Sequence, residues 1–216
     1  MESRFGPNIA RSLSRFLWIA AIGMIAPPSY GDREAPPIGY TKLTPGKRFK
    51  FVMFADFAYL GFKMPPRPPK TYPSSGLYLN NGSKTPLWAV DWYARNVQIS
   101  TDGQYAVRWG KWPDMGDYRD YRTLALAFYR NGKKLKSYLV RDLVSTRVRL
   151  PITISHYQWE KASFFDMKRN LLKVTLLGGM DFEYQAGRRL VFDVTTGNII
   201  KVTETKRVDS VHVVMP

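Results

Sequence analysis

Cysteine is absent from all 216 residues of the chain. That excludes disulfides, thiolate metal sites, iron–sulfur clusters, thiol nucleophiles and a lipid anchor on cysteine. Histidine is scarce: His156 and His212 are too few for a multi-histidine metal site. His156 lies in Ser155-His156-Tyr157-Gln158-Trp159 and His212 among Val211, Val213 and Val214, settings that suit packed structural residues. No Gly-x-Ser-x-Gly elbow, His-Glu-x-x-His pair, calcium loop or phosphate-binding glycine loop occurs, so no cofactor and no metal is expected. Long apolar runs are missing as well. Phe51 to Phe62 comes nearest, and Asp56 interrupts it. Acids are few, with 17 Asp+Glu against 33 Lys+Arg, for a net charge of +16.

What is present can fold. Hydrophobic residues make up 44%, charged residues 23% and aromatics 14%, in a length that suits one domain with a tail.

The amino terminus reads as an address. Arg4, Arg11 and Arg15 precede the apolar stretch Phe16–Ala26, then come Pro27, Pro28 and Ser29-Tyr30-Gly31. Basic, apolar and small-residue segments in that order predict a signal peptide over 1–31, cut after Gly31, and hence an exported protein. The apolar stretch is shorter than the roughly 20 residues of a membrane span, so no stable transmembrane segment is expected after cleavage.

Residues 32–73 form a proline-rich lead-in with one strand in 48–62 and a stiff linker ending in Pro65, Pro66, Pro68, Pro69 and Pro73. From 74 to 216 strands and turns alternate. Asn81-Gly82, Thr101-Asp102-Gly103, Asn131-Gly132 and Thr196-Gly197 supply residues that accept positive φ between β-patterned runs. A last strand is expected over Val208–Val214, with short helical turns only at Val140–Ser145 and His156–Lys161. The fold class is all-β: an antiparallel meander with little helix.

Two segments carry a resemblance. VQISTDGQYAVRWG, 97–110, is similar to the strand, Ser-x-Asp-Gly, strand unit of β-propeller blades. Residues 171–200, with Phe192-Asp193-Val194-Thr195-Thr196-Gly197, resemble a blade of the quinoprotein or WD type. The stretch 74–200 as a whole is similar to uncharacterised exported bacterial proteins with such units. The resemblance implies partial propeller-like or sandwich-like sheets and no particular activity. No cofactor residue carries over, because neither unit holds a tryptophan-docking motif for a quinone.

Trp88, Trp92, Trp109 and Trp112, four of six tryptophans, lie close together with Tyr93, Arg95 and Lys111. They read either as a core aromatic cluster or as a stacking platform for sugars or other flat ligands. Asp114, Asp117 and Asp120 share a loop with Arg119 and Arg122, which points to a self-paired loop rather than a calcium site. The excess positive charge suits an anionic envelope component: lipopolysaccharide, anionic lipid or a cell-wall polymer. Nucleic acid does not fit an exported chain. The expected function is therefore a non-enzymatic binding or structural module at the envelope. The alternative is a glycan hydrolase drawing its acid and base from Asp91, Asp102, Asp181 or Glu183.

Overall fold

A computed structural model describes residues 34–35, 37–55, 71–113, 115–118, 120–144, 149–177 and 186–204. The expected signal peptide, most of the proline run, Gly178-Gly179 and the expected strand at 208–214 lie outside these residues.

Among the described residues, twelve strands form three antiparallel sheets of four, each a meander in chain order. The first holds β1 (Tyr40–Leu43), β2 (Phe49–Met53), β3 (Ser75–Leu79) and β4 (Pro86–Val90). The middle sheet holds β5 (Val97–Ile99), β6 (Tyr105–Trp109), β7 (Leu124–Arg130) and β8 (Lys133–Leu139). The third holds β9 (Glu160–Asp166), β10 (Leu171–Leu177), β11 (Ala186–Asp193) and β12 (Asn198–Glu204). The all-β expectation holds. The lead-in holds two strands where one was expected, and β1 and β2 pair into one sheet with β3 and β4.

Strand periodicity builds two cores. Side chains alternate between the faces of a strand, and in β6 and β7 both faces are apolar. Val97, Ile99, Ala106, Ala127 and Tyr129 meet Phe49, Phe51, Met53, Leu77 and Trp88 of the first sheet. On the opposite face Val107, Trp109, Leu126, Phe128 and Tyr138 meet Phe165, Leu172, Val174, Leu176, Leu190 and Phe192 of the third. Residues such as Phe51, Phe128 and Phe192 are wholly enclosed. Each contributes about 1.5–3 kcal/mol of apolar transfer free energy.

Turn glycines lock one sheet onto the next. Asn131 (φ 47) and Gly132 (φ 78) join β7 to β8 through two left-handed residues. That tip presses on β4 of the first sheet, so a Cβ at Gly132 would stand 2.5 Å from the Ala89 carbonyl oxygen. The β11–β12 tip repeats the arrangement one sheet along: a Cβ at Gly197 would stand 2.8 Å from Cβ of Lys136 on β8. Aromatic donors reinforce both joints. The Trp88 indole N–H donates to the Gly103 carbonyl at 2.8 Å, and the Tyr138 hydroxyl to the Gly197 carbonyl at 2.9 Å.

One expected helix forms and the other does not. Val140–Leu143 is a single helical turn, with the Leu139 N–H donating to the Asp142 carboxylate. Residues 156–161 are extended instead: Ile152 bridges to Tyr157 and β9 begins at Glu160. Tyr157 and Trp159 are buried while Gln158 between them is exposed, a period of two that only extended chain satisfies.

The joints predict unequal glycine substitutions. Gly132→Ala should destabilise the fold by about 1–3 kcal/mol more than Gly82→Ala, since the cost of positive φ is common to both and the overpacking is not. Nothing stands within 4 Å of a Cβ at Gly82. Chemical denaturation of the two variants checks it; equal losses would show that the tip of β7–β8 does not press on β4.

Candidate functional site

The nominated aromatic and basic residues divide among four places. Trp88, on β4, is buried in the core between the first and middle sheets. Trp109, on β6, is buried on the opposite side of the middle sheet. These two indoles therefore do not share a surface.

Trp92, Tyr93 and Arg95 occupy the connection between β4 and β5. The Trp92 ring lies 5.0 Å from Tyr129, and the Arg108 guanidinium sits 4.7 Å above it. Arg108 also donates to the Tyr93 carbonyl at 3.3 Å. The Tyr93 hydroxyl accepts from the Ile38 N–H and donates to the Ile38 carbonyl, both at 3.1 Å. Arg95 pairs with Glu34 at 3.0 Å, and the Tyr40 hydroxyl donates to the Ala94 carbonyl at 2.9 Å. Burial, with the neighbouring Tyr93, pushes the Tyr40 phenol well above its ordinary range. Together these bonds strap Glu34, Ile38 and Tyr40 onto the β4–β5 connection.

The remaining corner is formed by residues 109–113, 115–118, 120–123 and 149–160. Trp112 is 42% exposed and stacks on His156, with centroids 4.1 Å apart and planes inclined by 25°. Lys111 beside it is exposed. Nδ1 of His156 lies 2.8 Å from the Thr153 hydroxyl. The stacked pair offers an exposed ring to solvent next to a cation.

Two carboxyls underlie this corner. Glu160 accepts the Trp109 indole N–H at 3.1 Å. Burial raises its pKa, opposed in part by that N–H. Asp117 accepts from the Thr123 N–H, from the Thr123 hydroxyl at 2.8 Å and from the Tyr157 hydroxyl at 3.2 Å. Burial alone would raise Asp117, but these bonds, with the Arg122 N–H, outweigh it and hold the carboxyl below its usual range. Asp120 pairs with Arg122. The loop is thus internally compensated among its described residues, and there no cluster of three His, Asp or Glu side chains is placed to hold a metal ion.

Of the carboxylates considered for glycan hydrolysis, Asp91 is exposed just beyond β4. Asp102 is used in its turn, accepting from the Ser100 hydroxyl and the Gln104 N–H. Asp193 does likewise for Thr195 and Thr196. Asp181 and Glu183 lie outside the described residues.

The sequence did not bring out a third grouping. Phe164, Lys173, Val191 and Lys201 stand directly opposite one another across β9, β10, β11 and β12. The neighbouring row is Ala162, Thr175, Arg189 and Thr203. Both rows lie on the face of the third sheet turned away from the core. Phe164 is 60% exposed, and Lys173, Arg189 and Lys201 are exposed. Lys173-Val174-Thr175-Leu176 shows which residues turn outward, but only the register reveals which cations meet. Arg188, adjacent to Arg189 in sequence, turns elsewhere and donates to the Leu143 carbonyl at 2.8 Å. Among the described residues no helix is long and apolar enough to cross a membrane.

The two carboxyls predict opposite pH behaviour. The pKa of Asp117 is lower folded than unfolded, so its contribution is full above its unfolded pKa of about 4 and fades as pH falls through the folded value. Asp117→Asn should cost about 1.5–3 kcal/mol at neutral pH and flatten the acid limb of the stability curve. The pKa of Glu160 is higher folded than unfolded, so stability is lost as pH rises through the raised value. Glu160→Gln, which keeps an acceptor for Trp109, should raise the neutral-pH Tm. Thermal melts of both variants from pH 3 to 8 check the signs.

No family model, curated protein or solved structure matches this chain.

Proposed function

We propose that the chain is an exported, non-enzymatic β module with a binding or structural role at the cell envelope. Its partner is anionic: lipopolysaccharide, anionic lipid or an acidic cell-wall polymer. The observation that carries this reading is uncompensated positive charge. Net charge is +16 for the full chain and +14 once residues 1–31 are removed, yet only Arg95, Arg122 and Arg169 form ion pairs among the described residues. Charge of that size draws anionic surfaces and leaves cations free to meet them. The internal engagement of Asp102, Asp117 and Asp193 also favours a module over an enzyme, since each carboxylate has structural work. The three meanders, joined by repeated glycine-tip contacts, support reading the sheets as propeller-like blades. Export rests on the basic and apolar order of residues 1–31.

Two measurements test the reading. Intact mass of protein from the envelope fraction should begin at or near Asp32, whereas full-length product held in the cytoplasm would overturn export. Binding to anionic vesicles, lipopolysaccharide or an acidic polymer should be measurable at low salt and weaken steeply as salt rises, because screening acts over about 8–10 Å near physiological ionic strength. Binding indifferent to salt, or none at low salt, would remove the polyanion as partner.

A further inference from the structure

On the middle sheet, the face that receives the third sheet carries Val107, Trp109, Leu126 and Phe128. The corresponding outward face of the third sheet carries Lys173, Arg189 and Lys201 with Phe164. A further sheet stacked there would bury three charges, which is strongly unfavourable unless every one were paired. That face therefore terminates the stack, as polar outer faces do in repeat proteins. Termination by itself needs only polarity. It does not need three cations of one sign on a face that ends in an exposed aromatic ring.

The geometry fits a flat anionic surface. Neighbouring strands lie about 4.8 Å apart, so Lys173 and Lys201 rise from backbones about 10 Å apart, with Arg189 in the next row between them. Among the described residues none of the three forms an ion pair. Phe164 extends the row of Lys173, whose ammonium lies 6.0 Å from the ring centroid. Ile200, at the β12 bulge beside Lys201, is 58% exposed. Cations that meet phosphates, flanked by apolar groups that reach the acyl boundary, suit a bilayer better than a soluble polymer, which gives the ring nothing to enter. We infer that the outer face of the third sheet docks on an anionic phospholipid bilayer through Lys173, Arg189 and Lys201, with Phe164 entering the interface. This rests on the anionic-partner reading above and names its surface and its source.

The test uses co-sedimentation with vesicles of phosphatidylglycerol and phosphatidylcholine, the protein being purified as the cell produces it. Each cation near such a surface is worth roughly fivefold in partitioning, so Lys173→Gln/Arg189→Gln/Lys201→Gln should bind about 125-fold more weakly. A control with the same charge loss, Lys47→Gln/Lys133→Gln/Lys134→Gln, should change binding no more than about threefold, as charges beyond a Debye length are screened. Phe164→Ala should lose about fivefold on vesicles and nothing on soluble polyphosphate, since only a bilayer buries the ring. Single variants Lys173→Gln and Lys201→Gln, each about fivefold weaker, keep the result independent of how the triple variant folds. Equal losses in both triple variants would overturn the face while leaving the anionic partner standing. A silent Phe164→Ala with undiminished polyphosphate binding would overturn the bilayer as source. Sedimentation showing a dimer that the face variant dissociates would assign the face to a second copy instead. No binding of the unaltered protein to any anionic probe would fell the anionic-partner reading itself.

Discussion

Everything in this fold depends on the middle sheet being apolar on both faces. A sheet with one apolar face needs one partner, and β6 and β7 have two, so the chain must supply a sheet on either side. The division of labour shows in residue size. Ala106 and Ala127 leave room for Phe51 and Trp88 on one side, while Leu126 and Phe128 fill the other against Leu172 and Phe192. Shifting β7 by one residue would exchange these sets and put small side chains where large ones are needed.

The joints between sheets follow from the same economy of space. Gly132 and Gly197 bring hairpin tips so close to the preceding sheet that no Cβ fits without movement. At the second tip the Gly197 carbonyl is then within reach of the Tyr138 hydroxyl. The equivalent tip of the first sheet, at Gly82, meets nothing within 4 Å. One glycine is a turn residue only. The other two are turn residues and packing residues at once.

Turn chemistry made the fold legible in the sequence. Asn131-Gly132 and Ser100-x-Asp102-Gly103 act within a few residues, so their spacing alone announces a hairpin. The third sheet was half visible: β10 to β12 read clearly, but β9 hid behind an aromatic segment whose first half resembles a helical turn. The first sheet was partly visible: β2 and the β3–β4 hairpin read from the sequence, β1 did not, and the prolines mask how β2 pairs with β3. The candidate site was less legible still. Trp88 and Trp109 are near in sequence and belong to different cores, because they sit in different sheets. Lys173, Arg189 and Lys201 are far apart in sequence and meet only through the register of three strands.

Native-state hydrogen exchange tests the double-sided burial of the middle sheet most directly. If β6 and β7 are enclosed between two sheets, their amides should exchange only when the whole domain unfolds, with the slowest rates in the protein. Amides of β12, an edge strand exposed along nearly all its length, should exchange far faster through local opening. Exchange in β6 and β7 as fast as in β12 would contradict the account, because the sheet on which the other two rest could not then be the stable centre.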